Sequence, residues 1–318
     1  MLFGGKKSPG RTVLLLDVEN GSVGSALVRL SPAEPPKLFG ETRFNTPLGM
    51  SRSSGGLFKD VRAAVREAVR SASEVAARVR THAEVAPLGT VEHAAIFMAA
   101  PWGRPNLAEG RPDFLPEMTA VVAEEVARSF GYIPISLYTD TDAAAFGARA
   151  VMAPERTGEA CLVCVITGEL TELMRMDSSG VAAHATIPTG SHALLRTLRT
   201  HSGLSEHEAR SAAKLQFKTP HLREPFAAAG AHFAGHFKEA AQEIVQPGDV
   251  LRVIVVGADP AAEWFALALA EDSLSELFPQ GGEVRALRTR HLSPHIAAHA
   301  QHPDAMLMLA ALFVDSHF

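Results

Sequence analysis

Leu16-Asp17-Val18-Glu19-Asn20-Gly21-Ser22-Val23 is the stretch whose reading decides the fold. It closes a short apolar run that begins at Thr12, and Asn20-Gly21 is a turn dipeptide. Residues 23–30 then resume in β-formers, so the spacing predicts a tight hairpin whose first strand ends on Asp17. Backbone N–H groups in such a turn can cradle phosphate oxygens, and a strand-end carboxylate can hold Mg²⁺ through water.

Working outward, a Pro-rich loop (31–36) leads to an extended stretch near 38–44. Gly55-Gly56 opens a helix with apolar positions at Leu57, Val61, Val65, Val69, Ala72, Ala76 and Val79. A strand at 94–99, a Pro/Gly loop at 101–116 and a helix from 116 to 130, stopped by Gly131, come next. A strand at 133–138 and an Ala-rich helix at 141–152 end this half.

The pattern then restarts. Val165-Ile166-Thr167-Gly168-Glu169-Leu170-Thr171-Glu172-Leu173 is a second hairpin, from strands 160–166 and 170–176, with a third strand at 181–187. A helix at 192–200 stops near Gly203, and Ser205-Glu206-His207-Glu208 is a capping box. A long helix with Phe226, Phe233, Phe237 and Ile244 on one side leads to a strand at 251–256. Asp259-Pro260 caps a helix at 261–271; a weak strand at 284–287 and short helices at 294–301 and 304–313 close the chain. The expected fold class is α/β, two similar domains (1–152 and 153–318) around a cleft, the final helix packing back on the first. A tandem of unrelated α/β domains is the alternative.

Composition agrees. The chain has 318 residues, enough for about two domains, and is 47% hydrophobic and 20% charged, which argues against disorder. A net charge of −5 removes the basic field that a nucleic-acid partner needs. Two cysteines give no disulfide framework. The longest apolar run, 305–314, is too short for a membrane span, and the N-terminus has no signal h-region, so a cytoplasmic protein is expected.

The two hairpins, with Ile254-Val255-Val256-Gly257-Ala258-Asp259-Pro260, carry a resemblance to the actin-like ATPase superfamily. Within it the chain resembles the PilM family of type IV pilus assembly and, more distantly, the FtsA cell-division family. The hairpins resemble its phosphate-1 and phosphate-2 motifs, and Gly257-Ala258 its adenosine motif. Tyr138-Thr139-Asp140-Thr141-Asp142-Ala143-Ala144-Ala145-Phe146-Gly147 is similar to its connecting segment. Met1-Leu2-Phe3-Gly4-Gly5-Lys6-Lys7 (leader 1–10) resembles the apolar-then-basic start of PilM chains, and Ile187-Pro188-Thr189-Gly190 the stretch after phosphate-2.

The resemblance implies ATP and Mg²⁺ as cofactors. Asp17, Asn20, Gly21 and Ser22 would form one lip, Thr167, Gly168, Glu169 and Thr171 the other, and Gly257 with Ala258 the base side. Asp17 would hold Mg²⁺ through water, and Asp140 is the candidate for positioning the attacking water.

Departures from the motifs point to a degenerate site. Glu19 replaces a family glycine, and a carboxylate about 4 Å from phosphate repels by about 4 kcal/mol at an effective dielectric near 20. Val165 replaces the phosphate-2 Asp, and Thr167 and Glu169 replace two of its glycines. Such losses remove several kcal/mol of transition-state stabilisation, so weak or absent hydrolysis is expected. About 30 residues between Trp102 and Pro134 leave no room for the subdomain that PilM and FtsA insert.

Other signals read as structural. Cys161-Leu162-Val163-Cys164 lies in a strand, where i and i+3 face oppositely. The pairs His232/His236 and His295/His299 lack the Glu of H-E-x-x-H. Arg62, Arg66, Arg70, Arg78 and Arg80 form a solvated helix face, and Lys6-Lys7 adds only marginal membrane attraction. The leading expectation is a cytoplasmic scaffold of a pilus or secretion machine, binding a cytoplasmic peptide of an inner-membrane protein, with self-association open. The alternatives are an active ATPase or small-molecule phosphotransferase, with Glu172 as a further candidate carboxylate, and an FtsA-like filament protein.

Overall fold

The computed structural model describes residues 10–32, 34–49, 54–81, 88–152, 160–215, 220–246, 249, 252–257, 261–272, 282–298 and 300–318. The expected leader, Ala258, the Asp259-Pro260 cap, His299 and the 152/153 boundary (followed by 153–159) fall wholly or partly outside these residues.

Strands β1 (Arg11–Val18), β2 (Ser22–Ser31) and β3 (Glu34–Asn45) form an antiparallel meander. Helix α1 (Ser54–Thr81) returns the chain so that β4 (Val91–Met98) lies parallel to β1. A two-residue ladder, β5 (Gly103–Arg104) with β6 (Asp113–Phe114), and helix α2 (Pro116–Phe130) then precede β7 (Ile135–Thr139), parallel to β4. Helix α3 (Asp140–Gly147) and one π turn (Ala148–Met152) follow.

The second sheet repeats this plan. Strands β8 (Cys161–Ile166), β9 (Thr171–Asp177) and β10 (Gly180–Ile187) are the meander, and helices α4 (Ser191–Ser202), α5 (Glu206–Leu215) and α6 (Arg223–Ile244) follow. Strand β11 (Arg252–Gly257) lies parallel to β8; after helix α7 (Ala261–Asp272), β12 (Glu283–Ala286) lies parallel to β11. The orders β3-β2-β1-β4-β7 and β10-β9-β8-β11-β12 match strand for strand and direction for direction. The duplication read from the sequence is therefore one of topology.

Three expectations are corrected. Prolines 35 and 36 lie inside β3, at the register irregularity between the Arg29–Lys37 and Ser31–Glu34 pairs, where bulged backbone tolerates a missing N–H. The loop over 101–116 contains the β5–β6 ladder. The short helix expected over 294–301 is absent. Helix α8 (Thr289–Leu292) precedes it, Pro294 sits in a turn, and β13 (Ala297–Ala298) pairs with Lys37 and Leu38 at the edge of the first sheet. An open sheet edge offers unpaired N–H and C=O groups that a lone helical turn does not.

Alternation sorts the side chains into layers. From β1, Leu14, Leu16 and Val18 face a core under α1 and α2, while Val13 and Leu15 face a central core. From β8, Val163 and Val165 face that central core, and Leu162, Cys164 and Ile166 face the core under α4, α6 and α7. Filling the centre is the last helix, α9 (Ala305–His317), which packs on α3, on β1–β3 and on β11. The ten-residue apolar run thus forms a helix that is apolar all round and buried all round. Among the described residues, no helix is long and apolar enough to cross a membrane.

Candidate functional site: two hairpins closed on each other

Both meander hairpins point into the junction between the sheets. In the first, the Glu19 N–H donates to the Ser22 carbonyl (3.0 Å), and in the second the Thr167 N–H donates to the Leu170 carbonyl (3.0 Å). The second is braced by α4, whose Ser191 and His192 N–H groups donate to the carbonyls of Thr167 (2.9 Å) and Gly168 (2.7 Å).

The two loops touch. A Cβ on Gly21 would lie 2.5 Å from the Gly168 Cα, a separation that real Cβ atoms do not show. Glycine is thus required here for backbone-to-backbone approach. Asn20, fully buried, zips the contact: its Nδ2 donates to the Ala100 carbonyl (2.8 Å) and Thr167 Oγ1 (2.9 Å), and its Oδ1 accepts from the Glu169 N–H (2.6 Å). Asn20, Gly21, Thr167, Gly168 and Glu169 are therefore brought together, as partners of one another.

The remaining lip residues are also engaged. Burial pushes the Glu169 carboxyl up, but hydrogen bonds from His192 (3.0 Å) and Arg196 (3.0 and 2.7 Å) prevail and hold it at about 2. Thr171 Oγ1 donates to the Thr189 carbonyl (2.7 Å). Gly257 ends β11 beside Ile166, where a Cβ would sit 3.3 Å from the Ile166 carbonyl.

Asp17 lies on the central face at the end of β1 and meets a residue that the sequence reading missed. Arg43, on β3, donates from Nη2 to Asp17 Oδ2 (2.5 Å) and from Nε to Asp304 Oδ2 (2.6 Å). Its Nη1 donates to Ser22 Oγ (2.8 Å) and lies 3.3 Å from Glu19 Oε1, and Ser22 Oγ donates to Glu19 Oε2 (3.1 Å). Asp304 also caps α9, accepting from the N–H groups of Met306 (3.0 Å) and Leu307 (3.1 Å). Burial raises the Glu19 carboxyl to about 8 despite the nearby guanidinium. Burial likewise raises Asp17, against the pull of Arg43.

Asp140 opens α3 below this group, 1% exposed, with Oδ1 accepting from the Thr141 N–H (2.9 Å) and Oδ2 unpartnered. Burial, then the charges of Asp17, Glu172 and Glu19, push its carboxyl well above the usual range. A carboxyl kept protonated is a poor base at neutral pH. Glu172 is buried against His184 and keeps Oε1 unpartnered.

The phosphates of ATP with their Mg²⁺ do not fit between the two hairpins as these lie. The cavity between the hairpins, lined by Glu19, Gly21, Ser22, Arg43, Gly168 and Gly257, is about 30 Å³, the space of one water. Small-molecule pockets are about ten times larger or more. Unpartnered oxygens remain on Asp17, Asp140 and Glu172, yet among the described residues no group of three His, Cys, Asp or Glu is placed to hold one ion. A larger cavity of about 370 Å³ opens on the far side of Gly257, lined by Glu263, Arg288, Thr289 and His302.

The other signals resolve as structure. Cys164 faces the core under α6 and Cys161 the central core, both as free thiols. His232 and His236 stack edge to face at 4.7 Å, and His295 lies in a turn. On α1, Arg66 pairs with Glu125 (3.2 Å) and Arg70 with Glu67 (2.5 Å) and Glu74 (2.9 Å).

No family model and no curated protein matches the sequence. Solved structures do. A PilM–PilN type IV pilus biogenesis complex matches over 98% of this chain and 98% of that one, with a TM-score of 0.61 at 14% identity. The ethanolamine utilization protein EutJ from Carboxydothermus hydrogenoformans matches over 98% and 91%, with a TM-score of 0.56 at 15% identity. A ROK family glucokinase from Streptomyces griseus, in complex with glucose and AMPPNP, matches over 94% and 98%, with a TM-score of 0.52 at 16% identity. The repeated sheet order and these full-length matches give the chain the duplicated fold of the actin-like ATPases.

Proposed function

We propose that the chain is a non-hydrolysing actin-like scaffold of a type IV pilus or related secretion machine. In this reading it works in the cytoplasm, peripheral to the inner membrane, by holding the cytoplasmic segment of a membrane-embedded partner. The observation that carries it is the Asn20-sealed contact of Gly21 with Gly168, which fills the space that transferred phosphates need. Likeness to a PilM–PilN complex over nearly the full length of both chains supports a partner-binding role.

An active ATPase or phosphotransferase is the competing reading. The 370 Å³ cavity beside Gly257 favours it, since a ligand's base side would have room there. Phosphate release and calorimetry with Mg-ATP separate the two. The scaffold reading expects no turnover, together with recovery of a single-span membrane protein by cross-linking in cells and binding of its cytoplasmic segment as a synthetic peptide. ATP turnover that Asp17→Ala abolishes would sink it.

A further inference from the structure

We propose that Arg43 is the resident cation of this cleft, seated where the sequence resemblance would put Mg²⁺, and that the cleft takes no divalent ion. The guanidinium uses Nε and both terminal nitrogens on Asp17, Asp304, Ser22 and Glu19 within one shell, and its side chain is 13% exposed. Its charge is permanent, because guanidinium does not lose its proton in proteins. Three acids from two distant parts of the chain, the β1–β2 hairpin and the cap of α9, thus share one cation that the fold itself supplies.

Register explains how it gets there. Asp17, Gly24 and Arg43 lie in one row across β1, β2 and β3. Gly24 has no side chain to block the path: a Cβ there would lie 2.8 Å from Arg43 Nη2. A divalent ion on Asp17 would sit at short range from a fixed positive charge, and the repulsion offsets what one carboxylate returns. Arg43 also fastens the first hairpin to the start of α9.

This inference deepens the reading of a cleft without ATP turnover and fails separately from it, because its probe is metal alone. Mn²⁺ titration of the wild type, followed by electron paramagnetic resonance, should show no saturable site, and millimolar Mg²⁺ at constant ionic strength should leave Tm unmoved. Arg43→Met should lower Tm by ~5–10 °C, since a buried pair loses one partner. Millimolar Mg²⁺ should restore part of that loss, and adding Asp17→Asn should abolish the recovery. Arg43→Lys should stay indifferent to metal, and with the wild type it decides the matter if Arg43→Met does not fold. A saturable Mn²⁺ site in the wild type that Asp17→Asn or Asp140→Asn removes overturns the proposal, as does a folded Arg43→Met that ignores divalent ions.

Discussion

Arg43 reaches Asp17 over Gly24, two strands away, and closes an ion pair at 2.5 Å in the junction between the sheets. The middle strand must carry glycine for this contact, because the arginine end is clamped on four sides and cannot step aside for a Cβ. Gly24→Ala should therefore cost about 1–3 kcal/mol, the range for overpacking a filled site. In an Arg43→Met background the same change should cost much less. Urea denaturation of the four proteins gives the coupling; additive costs would show that Gly24 does not serve the pair.

The Asn20 bridge makes a sharper demand. Asn20→Ala strands the Glu169 N–H and the Ala100 carbonyl in a buried contact, at about 1–3 kcal/mol for each group left unsatisfied. Amide exchange at Glu169 should speed up far more than at Leu14 in the core of β1. Equal acceleration at both positions would mean that Asn20 supports the whole fold and has no special role between the loops.

Much of this was legible in the sequence, and the part that was not has identifiable causes. The Asn20-Gly21 turn fixes the β1–β2 register, so Asp17 opposite Gly24 follows from residues 17–24 alone. Arg43 does not follow, because the β2–β3 ladder shifts register between Ser25 and Leu27 and again between Arg29 and Ser31. Asp304 is 261 residues from Arg43, and nothing local to Pro303-Asp304 announces more than a helix cap. In the sequence Asn20 reads as a phosphate ligand, because its hairpin resembles a phosphate-binding one. Its engagement with Thr167 and Glu169 depends on how closely the central core lets the sheets approach.

Titration of the buried acids gives stability a definite slope. Glu19 binds its proton up to about pH 8 when folded but only to its ordinary carboxylate range when unfolded, so the folded state holds the extra proton between them. Stability should therefore fall as pH rises from about 4.5 to 8, by at most about 1.4 kcal/mol per pH unit from this group. Asp17 and Asp140 act in the same direction. Glu169, held at about 2, acts oppositely and withdraws stability as pH falls below about 4.5. Chemical denaturation at stepped pH should show a shallower decline toward pH 8 for Glu19→Gln; an unchanged slope would remove Glu19 as its source.

Asp140 separates catalysis from architecture. Held protonated in the fold, Asp140 withdraws stability as pH rises above its ordinary carboxylate range, whereas Asp140→Asn keeps the neutral form and does not titrate, so its Tm should gain on the wild type by more at pH 8 than at pH 5. A catalytic carboxylate would instead appear as loss of ATP turnover with no change in the pH profile of Tm.

The final helix ties these effects together, because residues from both sheets share its core. Val13 and Val28 of the first sheet and Val163 and Ile254 of the second lie in one apolar cluster with Met306, Leu307 and Leu309. Leu309 also packs into the gap left by Gly147 on α3, so truncating it leaves a cavity that two rigid sheets cannot readily close. Leu309→Ala should cost about 2–5 kcal/mol, and the loss should fall on the whole molecule. Calorimetry is expected to give a single transition, shifted down, with equal calorimetric and van't Hoff enthalpies. Two resolved transitions in the variant would mean that each sheet folds independently on the core under its own helices, and that α9 only joins them.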